Sequence, residues 1–406
     1  MNLLQFSIRN VCRHKQRSLI TIGAMAFAAF IIMFFDAFLE GFIQTMVQNS
    51  VGMNLGTIQI HAEGYRDDPD LYKRIKNPDK LIEKLYANGF SATQRIYGFG
   101  LAASGSKSSG VWLRGIDLKN EPSVTQINKH ISSGSWLDGK DLMGVVIGKK
   151  LSKMLDVGVG DEVIILSQAT DGSMANDLYR IRGILKSVGN RVDRGAFFMT
   201  DRAFRDLMVL PEGAHEIAIV RKYHGEDLQK ITDEVANLAS GLETLNWRQL
   251  QPFIAKMIDT SEAGTFIMMF IVYTAIGMVI LNAMLMNVFE RIHELGVMKA
   301  IGFSPWRVAG MLFFEAMIQT AAACVLTLIF GLPVVYYFQT HGIDLSSLVS
   351  STTMVGIAMD PIWHCRITFK SIATPTIFLF LLATLAVIYP AAKAALIRPV
   401  EAIYYK

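Results

Sequence analysis

Glu290-Arg-Ile-His-Glu-Leu-Gly-Val-Met-Lys-Ala-Ile-Gly-Phe-Ser-Pro305 is a charged stretch lying between two of the most apolar runs of the chain. Ile292, Leu295, Met298 and Ile301 recur at helical spacing. Gly302 stands where a C′ glycine ends a helix, and Ser304 with Pro305 offers an N-cap and a first-turn proline for the next one. The pattern predicts a short amphipathic helix joining two long hydrophobic ones, a segment well placed to be gripped by a partner.

The runs on either side decide the class. The chain has 406 residues, 51% of them hydrophobic and 18% charged, with a mean hydropathy of +0.34. That is too apolar for an ordinary soluble enzyme, yet long polar stretches remain, a mixture that indicates membrane helices plus a soluble domain. The formal charge of +4 gives no reason to expect nucleic acid as a partner.

Residues 1–17 carry Arg9, Arg13, Lys15 and Arg17 and no acid, and Ser18 to Phe35 is uncharged, about the 20 residues that cross a hydrocarbon core. Beyond it stand Asp36 and Glu40, with no Lys or Arg until Arg66, so the positive-inside rule puts the N-terminus in the cytoplasm. A signal anchor is read over a cleaved signal peptide, because the run exceeds a usual h-region and no small-x-small site follows. Three further apolar segments span 262–289, 305–338 and 372–392. The fold class expected is therefore integral membrane α-helical, with four transmembrane helices and a large extracytoplasmic α+β domain inserted between helices 1 and 2. The expected division is a cytoplasmic segment 1–17, helix 1 and its outer extension 18–46, the outer domain 47–261, helix 2, a cytoplasmic segment 290–304, helix 3, an outer loop 339–371, helix 4 and a cytoplasmic tail 393–406. Lys393, Arg398 and Lys406 agree with this orientation, whereas Arg366 and Lys370 mildly oppose it.

Within the outer domain, strands are expected at Thr57–His61, Gly110–Ile116, Gly144–Ile147, Glu162–Leu166, Tyr179–Leu185, Ala196–Met199 and Glu216–Val220, short runs rich in β-branched residues. Helices are expected at Pro78–Tyr86, Lys149–Leu155, Arg202–Met208 and Asp227–Leu238. Catalytic apparatus is not found. The approach nearest to a phosphate loop, Gly100 to Gly105 followed by Ser106-Lys107, has the wrong order and is read as a loop. No G-x-S-x-G or HExxH occurs, and Cys12, Cys324 and Cys365 are too scattered for a disulfide framework or zinc site. No metal and no cofactor is expected on this chain.

The opening stretch, Glu290-Arg291-x-x-Glu294-Leu295-Gly296-x-x-Lys299-Ala300-Ile301-Gly302, resembles the coupling segment of the FtsX/MacB-type ABC transporter permeases. Tyr389-Pro390-Ala-x-x-Ala-x-x-x-x-Arg398-Pro399-Val400-Glu401-Ala402 resembles the ending of the same family, and Gly148-Lys-Lys-Leu-x-x-x-Leu155-x-Val157-Gly158-x-Gly160-Asp161-x-Val163 a passage of its periplasmic domains. A four-span chain without a fused ATPase is most similar to the LolC and LolE lipoprotein-releasing subunits. The hairpin that protrudes in LolC corresponds to Gln168–Asp177, which is short here and rich in Gly, Ser and Asp.

The resemblance implies a non-catalytic subunit of the bacterial inner membrane. It would work with a cytoplasmic ABC ATPase that holds ATP and Mg, and with a second permease, identical or homologous. The cargo it implies is a lipoprotein drawn from membrane lipid and passed to a periplasmic carrier. A MacB-like exporter and an FtsX-like regulator of a cell-wall hydrolase are the alternatives. Glu290, Arg291, Glu294, Leu295, Gly296, Lys299 and Gly302 would then take up the ATPase's motion. Phe30, Phe34 and Phe38, which follow Phe27 down the first span, could meet acyl chains or merely face lipid. Asp36 either sits at the bilayer surface or faces a cavity. Met268 and Met269 belong to a methionine-rich second span whose flexible side chains suit varied apolar ligands. Gly23, Ala24 and Ala28 suit close helix packing.

Overall fold

The computed structural model describes residues 3–13, 15–221, 227–344, 362–396 and 398. Most of the expected 339–371 loop and the Pro399–Ala402 end of the tail motif lie outside the described residues.

Helices α1 (Leu3–Arg13) and α2 (Lys15–Ser50) lead into a π-helical turn at Val51–Leu55. Then come β1 (Ile58–His61), α3 (Pro78–Ala87), β2 (Phe90–Ser104), β3 (Lys107–Ile116), α4 (Glu121–Val124), β4 (Ile131–Gly134), β5 (Gly144–Ile147), α5 (Lys149–Leu155), β6 (Glu162–Gln168) and β7 (Met174–Leu185). The domain finishes with α6 (Asn190–Gly195), β8 (Ala196–Thr200), α7 (Asp201–Met208), β9 (Glu216–Arg221), α8 (Leu228–Leu238), β10 (Glu243–Asn246) and α9 (Trp247–Leu250). Helices α10 (Pro252–Glu290), α11 (Ile292–Ala300) and α12 (Pro305–His341) follow, then the small ladder of β11 (Ile343–Asp344) with β12 (Ile362–Trp363), then α13 (Phe369–Leu396).

One compact unit holds α1, α2 as far as Ile43, α10 from Met257, and α11 to α13; a second runs from Gln44 to Lys256. In the second unit β2, β3, β8, β5, β7 and β6 pair in that order, and β6 pairs back onto β2. The six strands therefore close on themselves around Leu113, Val145, Ile165, Ile181 and Phe197, all inaccessible. The first half of β2 also pairs with β9, which continues through β1 to β10, and this flat part buries Ile58, Ile217 and Phe90 under α3 and α8.

β2 is thus the strand that both halves share, and sequence patterning missed it. Its glycines read as loop, and the expected Gly100–Gly105 loop is a strand as far as Ser104, turning at Gly105 with φ +54°. Gly98 suits a tight packing site, because a Cβ there would stand 3.1 Å from Cζ of Phe204 on α7, and that ring would have to shift. β4 and β10, along with α4, α6 and α9, were also missed; each has six residues or fewer.

Among the described residues, four helices, α2, α10, α12 and α13, are long and apolar enough to cross a membrane, with mean hydropathies of 2.0 to 2.3 over their most apolar windows. The helices run past the apolar segments because hydrogen bonding, not hydropathy, sets their length. α2 meets α12 closely: the Thr327 hydroxyl donates to the Ala26 carbonyl at 3.0 Å, and Gly331 leaves room for Phe30 and Met33. Met25, Ala26, Ala29 and Ile32 make the buried stripe of α2, and Ala28 packs against the same cluster, whereas Gly23 and Ala24 are exposed, so of the three small residues expected to pack Ala28 does so within the chain. The basic N-terminal segment is itself helical. Ser7 of α1 is inaccessible and its hydroxyl donates to the Met311 carbonyl of α12 at 3.1 Å.

Candidate functional site

The charged stretch folds as a compact hairpin between α10 and α12. α11 ends in a Schellman closure, with Phe303 N–H donating to the Met298 carbonyl at 3.1 Å and Gly302 N–H to the Lys299 carbonyl at 3.1 Å. Gly302 takes φ +105°, a conformation that L side chains rarely adopt. Pro305 opens α12, but Ser304 makes no side-chain cap bond there.

α11 turns Ile292, Leu295 and Gly296 inward. Leu295 joins Val288, Val308, Met311, Leu312, Ala391 and Ala394 in one apolar cluster, which welds the helix to the ends of α10 and α13 and the start of α12. Ile301 departs from the expected apolar face. It lies in the closing turn, beyond the last helical residue, and is 76% exposed.

Polar contacts fasten the hairpin. Arg291, only 5% exposed, donates through Nε to Glu294 Oε2 at 3.1 Å and through Nη1 to Glu315 Oε2 at 3.2 Å. Glu315 lies on α12 and is itself buried, while the Glu294 side chain is 47% exposed. Lys299 Nζ donates to the Ala395 carbonyl at 2.6 Å, satisfying a carbonyl in the last turn of α13. Lys393 stands 4.5 Å from the centre of the Phe289 ring.

Of the seven residues expected to face a partner, Arg291, Leu295 and Gly296 therefore face their own chain, and Lys299 reaches α13. Glu290, Glu294 and Gly302 are exposed, and beside them stand Val297, Ile301, Phe303 and Trp306, the last 86% exposed. Sequence reasoning missed Val297, Phe303 and Trp306, set Ile301 on the inward face, and missed Glu315. The signal for Glu315 was available, since it is the single acid between Pro305 and His341.

The proposed acyl-chain contacts do not converge. Phe30, Phe34 and Phe38 are half-buried and pack with Met33, Ala37, Val335 and Cys365. Phe34 meets Phe338 edge-on with ring centres 5.6 Å apart, and Phe38 lies 5.8 Å from Trp363. Met269 belongs to a different cluster around Tyr273, and Met268 is 38% exposed. Asp36 is partly exposed on α2.

The inserted domain has its own buried ionic centre. Arg95 of β2 donates to Glu121 at 3.1 Å and 2.6 Å, to Glu216 Oε1 at 2.7 Å and to the Asn54 carbonyl at 2.5 Å. The Asn54 side chain accepts from Arg114 at 2.5 Å, so the π-helical turn after α2 is held from two sides. His215, beside it, accepts the Tyr97 N–H at Nδ1 and donates from Nε2 to the Leu71 carbonyl. Burial depresses its pKa to about 4. The β6–β7 turn is short, and Thr170 is bonded to the carbonyls of Met208 and Val209 at the end of α7. Among the described residues no group of His, Cys, Asp and Glu is arranged to hold a metal ion.

Two family models match. The FtsX-like permease C-terminal family covers residues 266–399, and the MacB-like periplasmic core domain covers residues 18–238, more than half of the chain. An uncharacterized ABC transporter permease, MJ1507 of Methanocaldococcus jannaschii, is 24% identical over 67% of this chain and 64% of its own length, so the match spans under two thirds of that relative. The lipoprotein-releasing system transmembrane protein LolC of Xylella fastidiosa is 20% identical over 74% of this chain and 75% of its own. YknZ of Bacillus subtilis, an uncharacterized ABC transporter permease, is 21% identical over 99% of this chain and 98% of its own. With four long apolar helices, a MacB-like domain between the first two and an FtsX-like C-terminal part, the chain belongs to the FtsX/MacB-type family of ABC transporter permeases.

Proposed function

We propose that this chain is the permease subunit of an ATP-driven inner-membrane complex that draws lipoproteins from the outer leaflet and hands them to a periplasmic carrier. The observation that carries the coupling half of this reading is the α11 hairpin. It is fixed to α12 and α13 by Arg291 and Lys299, and it presents Glu290, Glu294, Ile301, Phe303 and Trp306 on the other side. A cytoplasmic ATPase, holding ATP and Mg, would seat those residues. Both termini then lie in the cytoplasm, as the cluster of cations before Ser18 supports.

The cargo half rests on the likeness to LolC. Moving acyl chains into water costs about 0.8 kcal/mol per CH₂, so extraction needs both ATP and an acceptor. Because the β6–β7 turn is tied down on α7, recruitment of that acceptor falls to the second permease in this reading. The match to the MacB-like core domain favours one other reading, a MacB-like exporter acting on a periplasmic peptide, toxin or small molecule.

The test is purification of the chain in mild detergent from its host membrane. Co-purification of an ABC ATPase together with a diacylated or triacylated protein is expected. Recovery with an ATPase but with an adaptor and an outer-membrane channel in place of lipoprotein would favour the exporter, and recovery without any ATPase would refute both.

A further inference from the structure

The chain between α11 and α12 is one path from the hairpin into the third span. It consists of the closing turn with Gly302 at φ +105°, followed by Ser304 without a side-chain cap bond. Another path runs past it. Arg291, at the head of α11, reaches Glu315, ten residues into α12 and so about 15 Å along that helix.

The pair is dry. Both side chains are under 10% exposed, and the same two helices bury Leu295, Met311 and Leu312 in one apolar cluster. In such surroundings an ion pair is stiff, because separating the charges strands each in low dielectric. The same guanidinium holds the half-exposed Glu294 through its Nε, on the side left open to a partner. One side chain thus joins a surface carboxylate to a carboxylate inside the third span. Lys299, near the other end of α11, holds the Ala395 carbonyl of α13.

We propose that Arg291 and Glu315 are the positioning pair that carries motion of α11 into the third span, independently of the Lys299 hook that carries it into the fourth. The proposal rests on the ATP-coupled reading above and adds a residue-level route to it.

The experiment uses the full chain in complex with its ATPase, in phosphatidylethanolamine–phosphatidylglycerol nanodiscs, with the cysteines replaced by serine. A nitroxide is placed at Tyr337→Cys on α12 or at Ile377→Cys on α13, both exposed positions. The spectral change between the nucleotide-free and the ATP–vanadate-trapped states is read at each. Arg291→Gln should reduce the change at 337 at least fivefold and leave that at 377 within twofold. Arg291→Glu with Glu315→Arg should restore the change at 337 to within twofold of the parent. If Arg291→Gln fails to assemble, Glu315→Gln, which keeps the size and an acceptor, carries the same expectation. A full response at 337 in these single variants, loss at both labels together, or no recovery in an assembled charge-swapped complex would overturn the proposal. A parent complex that responds at neither label on trapping refutes the ATP-coupled reading itself, before any variant is compared.

Discussion

Arg95 and Arg291 are both almost fully buried arginines, each facing two carboxylates, and they do opposite things. Around Arg95 everything is enclosed: the side chains of Glu121 and Glu216 are 2% and 7% exposed, and the Asn54 carbonyl takes a further hydrogen. Around Arg291 one carboxylate is enclosed and the other is not, with Glu315 at 3% and Glu294 at 47%. A guanidinium with every partner inside is a clasp, since nothing outside can change its surroundings at low cost. One with a partner at the surface can be acted on. The lesson is that the exposure of the second acid, more than the burial of the arginine, separates a fixed joint from a movable one.

The comparison can be broken most forcefully at Arg95. Arg95→Leu takes the guanidinium from two buried carboxylates, Glu121 and Glu216, and removing one partner of a buried pair costs about 3–5 kcal/mol. We expect the inserted domain to lose most of its cooperative unfolding transition, followed by the fluorescence of Trp112, Trp136 and Trp247. An unchanged midpoint would mean that the clasp holds nothing.

Acid should separate the two regions. His215 donates its backbone N–H to the Arg95 carbonyl and holds Tyr97 through an unprotonated Nδ1. Its folded pKa of about 4 lies below the ordinary 6.5. Stability from the neutral form is complete above about pH 6.5 and falls as the unfolded chain takes up its proton first. The loss levels off below about pH 4 and amounts to roughly 3 kcal/mol. His61, lowered by burial in the same sense, adds to it. His215→Gln should flatten this pH dependence of the thermal midpoint between pH 7 and 4; a slope as steep as the parent's would assign it to other groups.

The smallest change is expected at Glu294. Its bond to Arg291 is half in solvent, so Glu294→Ala should cost under about 1 kcal/mol of stability, while weakening co-purification of the ATPase severalfold. A large stability loss without any effect on assembly would place Glu294 with the clasp.

The four spans were legible because uncharged runs of that length have few other uses, and the hairpin was legible because Gly302, Ser304 and Pro305 mark its turn. What escaped was long-range. The glycines of β2 looked like a loop until Phe204, more than a hundred residues on, was found packed against Gly98. Arg95 finds Glu216 at a separation of 121 residues, and Arg291 finds Glu315 across a turn, pairings that periodicity cannot contain. The exposed face of α11 was misjudged because its apolar spacing was extended through Ile301, which belongs to the turn.

The closed ring of six strands has a consequence for how the inserted domain could take hold of an extended peptide. β2, β3, β8, β5, β7 and β6 each have a strand on both sides, so their backbone groups are already occupied along most of the ring. Among the described strands, β10 and β4 alone end the sheet, and both are four residues long. A guest chain that bound by strand addition would find short landing places only among the described strands: β4, β10 and the stretches Lys107–Val111 of β3 and Met174–Tyr179 of β7, which β8 and β5 leave uncovered. Where the ring strands are paired on both sides, recognition is left to side chains.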